Sequence, residues 1–302
     1  MSFHIGIDLG GTKIFGAALT ADGQTLLTKR KPTPRFNYDL TISAILEIVI
    51  SIEDELQASA PVGVCIPGSI CPATGLIQNA NSTWLNDQTF QEDLETALKR
   101  PLRLENDANC FALSESVDGA GKGAKSVFGV IMGTGVGGGL VFDEQIVNGP
   151  RSIGGEWGHC SLPYPTYEEI ETADQCWCGQ KGCIESWISG PALVKHHNKS
   201  HSSALNLVED LVQQAHSGDE AALTSLKLHS SRTARALSMV VNIFDPEVIV
   251  LGGGLSEMDH LYDELPQLMK PTLFSADKRV GIRRPLYGPT SGVRGAARLW
   301  SF

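Results

Sequence analysis

Apolar positions along this chain alternate between unbroken short runs and helical spacing. Phe3 to Asp8 predicts a buried strand that ends at Gly10-Gly11-Thr12, and a second apolar run, Ile14 to Leu19, follows it. Ala21-Asp22-Gly23 marks a turn, and Thr25 to Lys31 predicts a third strand. The period then changes. Leu40, Ile45, Ile48, Val49, Ile52 and Leu56 recur at helical spacing within residues 38 to 58. Val62 to Ile66 reads as a strand stopped by Pro67-Gly68, residues 90 to 99 as a helix, Leu102 to Leu104 as a short strand and Ala108 to Val117 as a helix.

The pattern restarts after residue 118. Val127 to Met132 predicts a strand, Gly133 to Gly139 a glycine-rich turn and Leu140 to Phe142 another strand. Helices dominate residues 205 to 244. Val248 to Leu251 is a strand running into Gly252-Gly253-Gly254, residues 259 to 270 are helical, and a last helix begins near Gly292. Strand, glycine turn and strand thus occur twice, which predicts an α/β protein of two related lobes. The division expected is residues 1–118, completed by the helix at 291–302, and residues 119–290, with Gly119 to Lys125 as candidate hinge.

The 302 residues suffice for two lobes with cores of their own. A net charge of −10 argues against nucleic acid as the main partner, because phosphate neutralisation needs clustered Lys and Arg. The start of the chain lacks a charged region followed by an apolar one, and no apolar run reaches the length of a membrane span. The expectation is a cytoplasmic protein with no membrane partner. Seven cysteines suit a reducing compartment. Cys65, Cys71, Cys110 and Cys160 are scattered and expected to be buried free thiols.

The remaining three cysteines carry chemistry. Gly154-Gly155-Glu156-Trp157-Gly158-His159 precedes Cys176-Trp177-Cys178-Gly179 and Gly182-Cys183-Ile184-Glu185. One imidazole and three thiolates, from His159, Cys176, Cys178 and Cys183, can close a tetrahedral zinc site. Cys160 is set aside, because neighbouring residues seldom both turn toward one ion. Glu156 and Glu185 flank these ligands, and a purely structural zinc knot does not need them. The block reads as a metal shaping a pocket for a polar substrate.

Four strand ends carry glycine: Gly10-Gly11, Gly68, Gly133 to Gly139 and Gly252 to Gly254. Each is either a tight turn or a nest of backbone N–H groups for an anion. Asp8-Leu9-Gly10-Gly11-Thr12-Lys13 adds a carboxylate suited to hydrated Mg²⁺, with a hydroxyl and an ammonium for phosphate oxygens. Gly133-Thr134-Gly135-Val136-Gly137-Gly138 fits the dinucleotide pattern G-x-G-x-x-G, but a strand rather than a helix follows it. Residues Gly119 to Ser126 lack the glycine spacing of a P-loop. In Glu105-Asn106-Asp107-Ala108-Asn109, Asp107 stands where a strand gives way to a helix. It can cap that helix, or take a proton from a hydroxyl that attacks phosphorus, or both.

With these residues in place the chain resembles the ROK family of sugar kinases, repressors and open reading frames, within the actin-like and hexokinase-like ATPases. Asp8 to Lys13 resembles the family's first phosphate loop, Glu105 to Asn109 its catalytic segment, Gly133-Thr134-Gly135 its second phosphate loop, and Gly155 to His159 with Cys176, Cys178, Cys183 and Glu185 its zinc-and-sugar signature. The resemblance implies a two-lobed, ribonuclease H-like α/β fold with an interlobe cleft and a zinc site. It implies Asp107 as general base, and Gly68, Asn81, Asn106, Glu156, His159 and Glu185 at the sugar. It implies Mg²⁺–ATP on Asp8, Gly10, Gly11, Thr12, Lys13, Gly133, Thr134, Gly135, Gly253 and Gly254, with His159 placing one ring nitrogen on zinc. A homodimer is expected from the resemblance.

One departure is the acidic stretch of sixteen residues between His159 and Cys176, longer than the usual family loop. Asn79 to Asn86 resembles the fructokinase and mannokinase branch, with Asn81 toward sugar hydroxyls and Trp84 able to offer a ring face. The expected activity is phosphorylation of a hexose at its 6-hydroxyl, with fructose as substrate. N-acetylglucosamine kinase and glucokinase are the alternatives within the family. From other classes, a nicotinamide-dependent oxidoreductase lacks its helix, a non-catalytic sugar sensor would not need Asp107, and a repressor would need a DNA-binding region ahead of Asp8.

Overall fold

The computed structural model describes residues 2–301. In chain order its elements are β1 (Phe3–Leu9), β2 (Lys13–Thr20), β3 (Thr25–Pro32), α1 (Tyr38–Leu56), β4 (Val62–Ile66), β5 (Ser69–Ile70), β6 (Ile77–Gln78), α2 (Phe90–Leu98), β7 (Arg103–Asn106), α3 (Asp107–Val117), β8 (Ser126–Met132), β9 (Val136–Phe142), β10 (Gln145–Ile146), α4 (Tyr167–Thr172), α5 (Glu185–Ile188), α6 (Gly190–His201), α7 (Val208–His216), α8 (Glu220–Phe244), β11 (Val248–Gly252), α9 (His260–Met269), β12 (Ile282–Arg283) and α10 (Ser291–Arg298). The chain divides into two compact units. One holds residues 1–123, 139–155 and 286–302, and the other residues 124–138 and 156–285.

Two five-stranded sheets repeat one topology. The first runs β3-β2-β1-β4-β7 and the second β10-β9-β8-β11-β12. In the first, β1 pairs antiparallel with β2 and β2 with β3, while β4 runs parallel to β1 and β7 to β4. In the second, β9 and β10 are antiparallel, and β11 runs parallel to both β8 and β12. Parallel strands covered on both faces favour apolar residues, and β1, β4, β8 and β11 are buried along nearly their whole length.

The core of the first unit is the contact of Ile5, Ile7 and Leu9 with Val62, Val64 and Ile66, covered by Ile45, Ile48, Val49 and Ile52 of α1. On the other face α10 lies against the sheet at backbone distance. A Cβ on Gly6 or Gly63 would run into the carbonyl oxygens of Val293 and Ala296. Arg294 and Arg298 of this helix both reach Asp118, at 2.8 and 2.7 Å.

In the second unit the 25-residue α8 is the longest element. Asp219 caps it by accepting the Ala222 N–H at 2.8 Å. The long acidic stretch after His159 is not a free loop. Thr166 and Glu169 close a reciprocal capping box that starts α4. The buried Glu169 carboxylate then accepts Arg232 at 2.9 Å and Arg235 at 2.8 Å from α8. Burial opposes its charge, but these hydrogen bonds win and hold the carboxyl down at about 2.

The glycine turn expected at 133–139 is shorter than its composition suggested, because β9 begins at Val136. Glycine serves packing inside that strand: a Cβ on Gly138 would stand 2.7 Å from the rings of Phe128 and Trp157. All seven cysteines are free. Cys65 and Cys110 are buried as expected, whereas Cys160 is exposed and Cys71 half-buried. Among the described residues no helix is long and apolar enough to cross a membrane.

Candidate active site

In the first unit the candidate residues collect at the carboxyl ends of β1, β4 and β7. Asp8 lies beside Cys65 across the β1–β4 pair, with the thiol sulfur 3.6 Å from Oδ1. Burial pushes the Asp8 carboxyl up, and the Cys65 contact and Lys13 oppose this. The turn that follows is closed by Gly10 N–H on the Lys13 carbonyl at 3.0 Å, and by the Thr33 hydroxyl on the Gly10 carbonyl at 2.7 Å. Gly11, Thr12 and Lys13 remain exposed. Gly11 has no neighbour within 4 Å of an added Cβ and no left-handed φ. Nothing in the fold itself demands glycine there, which leaves room for close approach by a ligand.

Gly68 differs, because its φ of +94° and the Gln78 carbonyl 2.6 Å from a built Cβ both require glycine. Its carbonyl accepts Asn106 Nδ2 at 3.1 Å. Asn106, not Asp107, is the N-cap of α3, with Oδ1 accepting the Ala108 and Asn109 N–H groups at 2.9 and 3.4 Å. Asp107 is the first helical residue and is half-buried, with Oδ1 2.8 Å from the Ala108 nitrogen. The cap is supplied by its neighbour, so capping alone does not explain a carboxylate at 107.

Asn81 is exposed on a loop that Asn86 closes, accepting the Ala80 N–H at 2.8 Å and donating to the Ala80 carbonyl at 3.0 Å. Trp84 is half-buried. It donates to the Thr41 hydroxyl at 3.3 Å, packs on the core of the unit and meets Phe36 edge-on.

Two supports had no assigned role in the sequence. Glu105 Oε1 accepts the Asn106 N–H at 2.8 Å and Asn109 Nδ2 at 3.1 Å, while Oε2 accepts Asn148 Nδ2 at 3.0 Å. Glu105 lay inside the catalytic segment and so was findable. Asn148 stands in a loop with no distinguishing pattern.

In the second unit β8 ends in the turn Gly133-Thr134-Gly135. Gly133 N–H donates to the Gly135 carbonyl at 2.9 Å, and the Gly133 carbonyl accepts Gly190 N–H at 2.8 Å. Gly133, Thr134 and Gly254 line one cavity of about 1110 Å³, with Val194, Leu205, Leu207, Val208, Leu255 and Met258 as its apolar surface. That is ample for a nucleotide-sized ligand. Asn198 braces part of the wall, donating to the Leu205 carbonyl at 2.8 Å and accepting its N–H at 2.9 Å. Gly254 again has open space beyond its Cβ position, whereas Gly253, at φ +79°, serves the bend itself. Gly135 and Gly253 are not in the cavity wall. The α6 and α7 surfaces of the cavity were missed by sequence reasoning, because they carry no glycine or charge motif.

The metal-ligand prediction meets a compact donor set. The donor atoms of His159, Cys176, Cys178 and Cys183 all lie within 4.8 Å of one another. Cys176 Sγ is 3.6 Å from His159 Nδ1, and Cys178 Sγ is 3.6 Å from Cys183 Sγ. A zinc tetrahedron with its usual bonds to sulfur has edges of about 3.8 Å, so these residues fit the ion. Cys160 stays outside the set. With Nδ1 toward the sulfurs, Nε2 of His159 faces away from them. Trp157 anchors this stretch by donating to the Gly137 carbonyl at 2.9 Å and packing edge-on against Phe128.

Glu156 is half-buried and burial raises its carboxyl, with His159 opposing and Glu185 adding to the rise. Glu185 is engaged within the protein. Oε2 accepts the Val136 N–H at 2.9 Å and Oε1 accepts Trp177 Nε1 at 2.7 Å. The same Oε2 would stand 2.7 Å from a Cβ on Gly135, so one carboxylate ties the glycine turn to the cysteine segment.

The model of the ROK family matches residues 4–302. The chain is 35% identical over 299 residues to the N-acetyl-D-glucosamine kinase of Pasteurella multocida, covering 98% of each chain. It is 36% identical over 303 residues to that of Yersinia enterocolitica, again covering 98% of each. The ROK hexokinase of Thermus thermophilus has the same fold with a TM-score of 0.86 and 29% identity, over 98% of this chain and 96% of that one. The chain belongs to the ROK family, and its place there is among the sugar kinases. Its two-sheet α/β fold is the hexokinase-like fold of those enzymes.

Proposed function

We propose that the protein transfers the γ-phosphoryl group of ATP to the 6-hydroxyl of N-acetylglucosamine. The observation that carries this reading is full-length similarity, at 33 to 36% identity, to relatives named N-acetyl-D-glucosamine kinases. Fructose was expected from residues 79–86. Trp84 of that segment is half-buried, packs on the core and donates its N–H to Thr41, which weakens the support for fructose.

The chemistry proceeds through the chain's own groups. Asp107 accepts the proton of the attacking hydroxyl, with its backbone set by the Asn106 cap and the Glu105 brace beneath it. In this reading Gly68, Asn81, Asn106, Glu156, Glu185 and Nε2 of His159 are the sugar contacts. The apolar cavity beside Gly133, Thr134 and Gly254 takes the adenosine. Open backbone at Gly133 and Gly254, and the Gly10 to Lys13 turn, suit phosphate oxygens. Asp8 suits hydrated Mg²⁺, which supplies charge neutralisation when bound.

Zinc, held by four protein ligands with no open position, would shape the sugar site rather than activate water. Bound through Nδ1, His159 keeps a fixed tautomer at Nε2. The two compact units serve as the two lobes of the kinase, and the working form is a cytoplasmic homodimer. Light scattering on purified protein tests that assembly. The function is tested by coupled ADP release over N-acetylglucosamine, glucose, mannose and fructose. N-acetylglucosamine should give the highest kcat/KM, and a preference for fructose would overturn the substrate assignment.

A further inference from the structure

Trp177, between two of the cysteine donors, is 65% exposed, yet its ring is held in place. Its N–H donates to Glu185 Oε1 at 2.7 Å, and its ring meets His159 edge-on with centroids 4.8 Å apart. The chain has five tryptophans. Trp157 and Trp187 are buried, and Trp84 and Trp300 donate to Thr41 and the Val62 carbonyl. Closing a zinc site places no demand on the residue between Cys176 and Cys178, and an exposed indole there keeps a large apolar surface in water. Its position beside two proposed sugar-binding groups is what needs a reason.

Glu185 cannot turn away freely, because Oε2 is held by the Val136 N–H. Oε1 is therefore the oxygen that faces an incoming hydroxyl, and the indole N–H already occupies it. Resting on the reading of Glu185 as a sugar-binding carboxylate, we propose that Trp177 is a specificity-determining guard of the acceptor site. An acceptor hydroxyl replaces the indole N–H on Glu185 Oε1, and the released ring packs against the apolar face of the sugar. The exchange is one hydrogen bond for another, so a sugar with the right hydroxyl trades nearly evenly. A sugar without it must leave either the indole in place or the carboxylate unpaired, and is rejected.

The test uses full-length Trp177→Phe, which keeps a ring and removes the donor. With its competitor gone, KM for N-acetylglucosamine should fall about three- to tenfold, with kcat little changed. A merely structural tryptophan would not give a lower KM when replaced. In the native protein, N-acetylglucosamine without nucleotide should change tryptophan emission and the fraction quenched by acrylamide, and the change should vanish in Trp177→Phe. Unmoved KM in a zinc-loaded variant, or the same emission change in the variant, overturns the proposal. If Trp177→Phe loses zinc, native quenching decides alone, and quenching unaltered by sugar overturns it. A native enzyme that phosphorylates no sugar sinks the kinase reading itself, whereas an active enzyme with unmoved KM sinks only the guard.

Discussion

Asn and Asp can both cap a helix, but only a carboxylate can act as a base. Asn106 takes the helix cap and the link to Gly68, and the neighbouring Asp107 carboxylate is the proposed base. Asn106→Ala should cost about 1 kcal/mol of stability through the lost cap, measured by denaturant unfolding. It should also weaken turnover, because the Asp107 backbone loses its brace. His229 makes a pH prediction. Burial lowers it to about 4, against a partial rise from its hydrogen bond to the Ile188 carbonyl at 3.0 Å. The folded protein keeps it neutral, while the unfolded chain protonates it near pH 6.5. Its contribution is thus complete above that value and lost as pH falls toward 4. Thermal midpoints should decline across this window, and His229→Gln should flatten the decline. Residue identity alone did not disclose which way Trp84 turns, since an indole suits a core and a sugar equally well.

Elements were legible where burial is two-sided or periodic. β1, β4 and α1 follow from apolar runs and spacing, because the same contacts that bury them write the pattern. α4 and α6 were not foreseen. Each is polar on most of its surface, and their stability comes from caps and from partners far along the chain. Glu169 shows this, since its hold on Arg232 and Arg235 spans more than sixty residues of sequence. Glu169→Gln should destabilise the second unit by about 3 kcal/mol at neutral pH, because two part-buried guanidinium groups lose their counter-charge. The native advantage of this ion pair is full above the ordinary glutamate range and is lost as pH falls toward about 2. The cysteine segment was legible as a ligand set because spacing alone brings the donors together. Elemental analysis should find about one zinc per chain, and Cys183→Ser should lose both zinc and sugar binding. Nucleotide binding should persist in that variant, because α6, α7 and the Gly254 bend carry no zinc ligand. Loss of nucleotide binding along with zinc would contradict this separation.

At the scale of the molecule, the repeat of strand, glycine turn and strand proved to be a repeat of sheet order, with antiparallel pairs on one flank and parallel pairs on the other. That much was written in the sequence as order and spacing. Which hexose is preferred was not, because one exposed loop around Asn81 offers too few contacts to decide it. The fold places open backbone at Gly11 and Gly254 without a packing reason, which is what a phosphate-binding enzyme requires of its turns. The central claim is that Asp107 is the base of a phosphoryl transfer to a sugar. Its most direct test is ADP release from ATP and N-acetylglucosamine by native protein and Asp107→Asn, with binding of both ligands followed by calorimetry. The native protein should release ADP in a sugar-dependent way, and this release should fall about 10²- to 10⁴-fold in the variant with both ligands still bound. Near-native turnover by Asp107→Asn, or no sugar-dependent ADP release from the native protein, would contradict that claim.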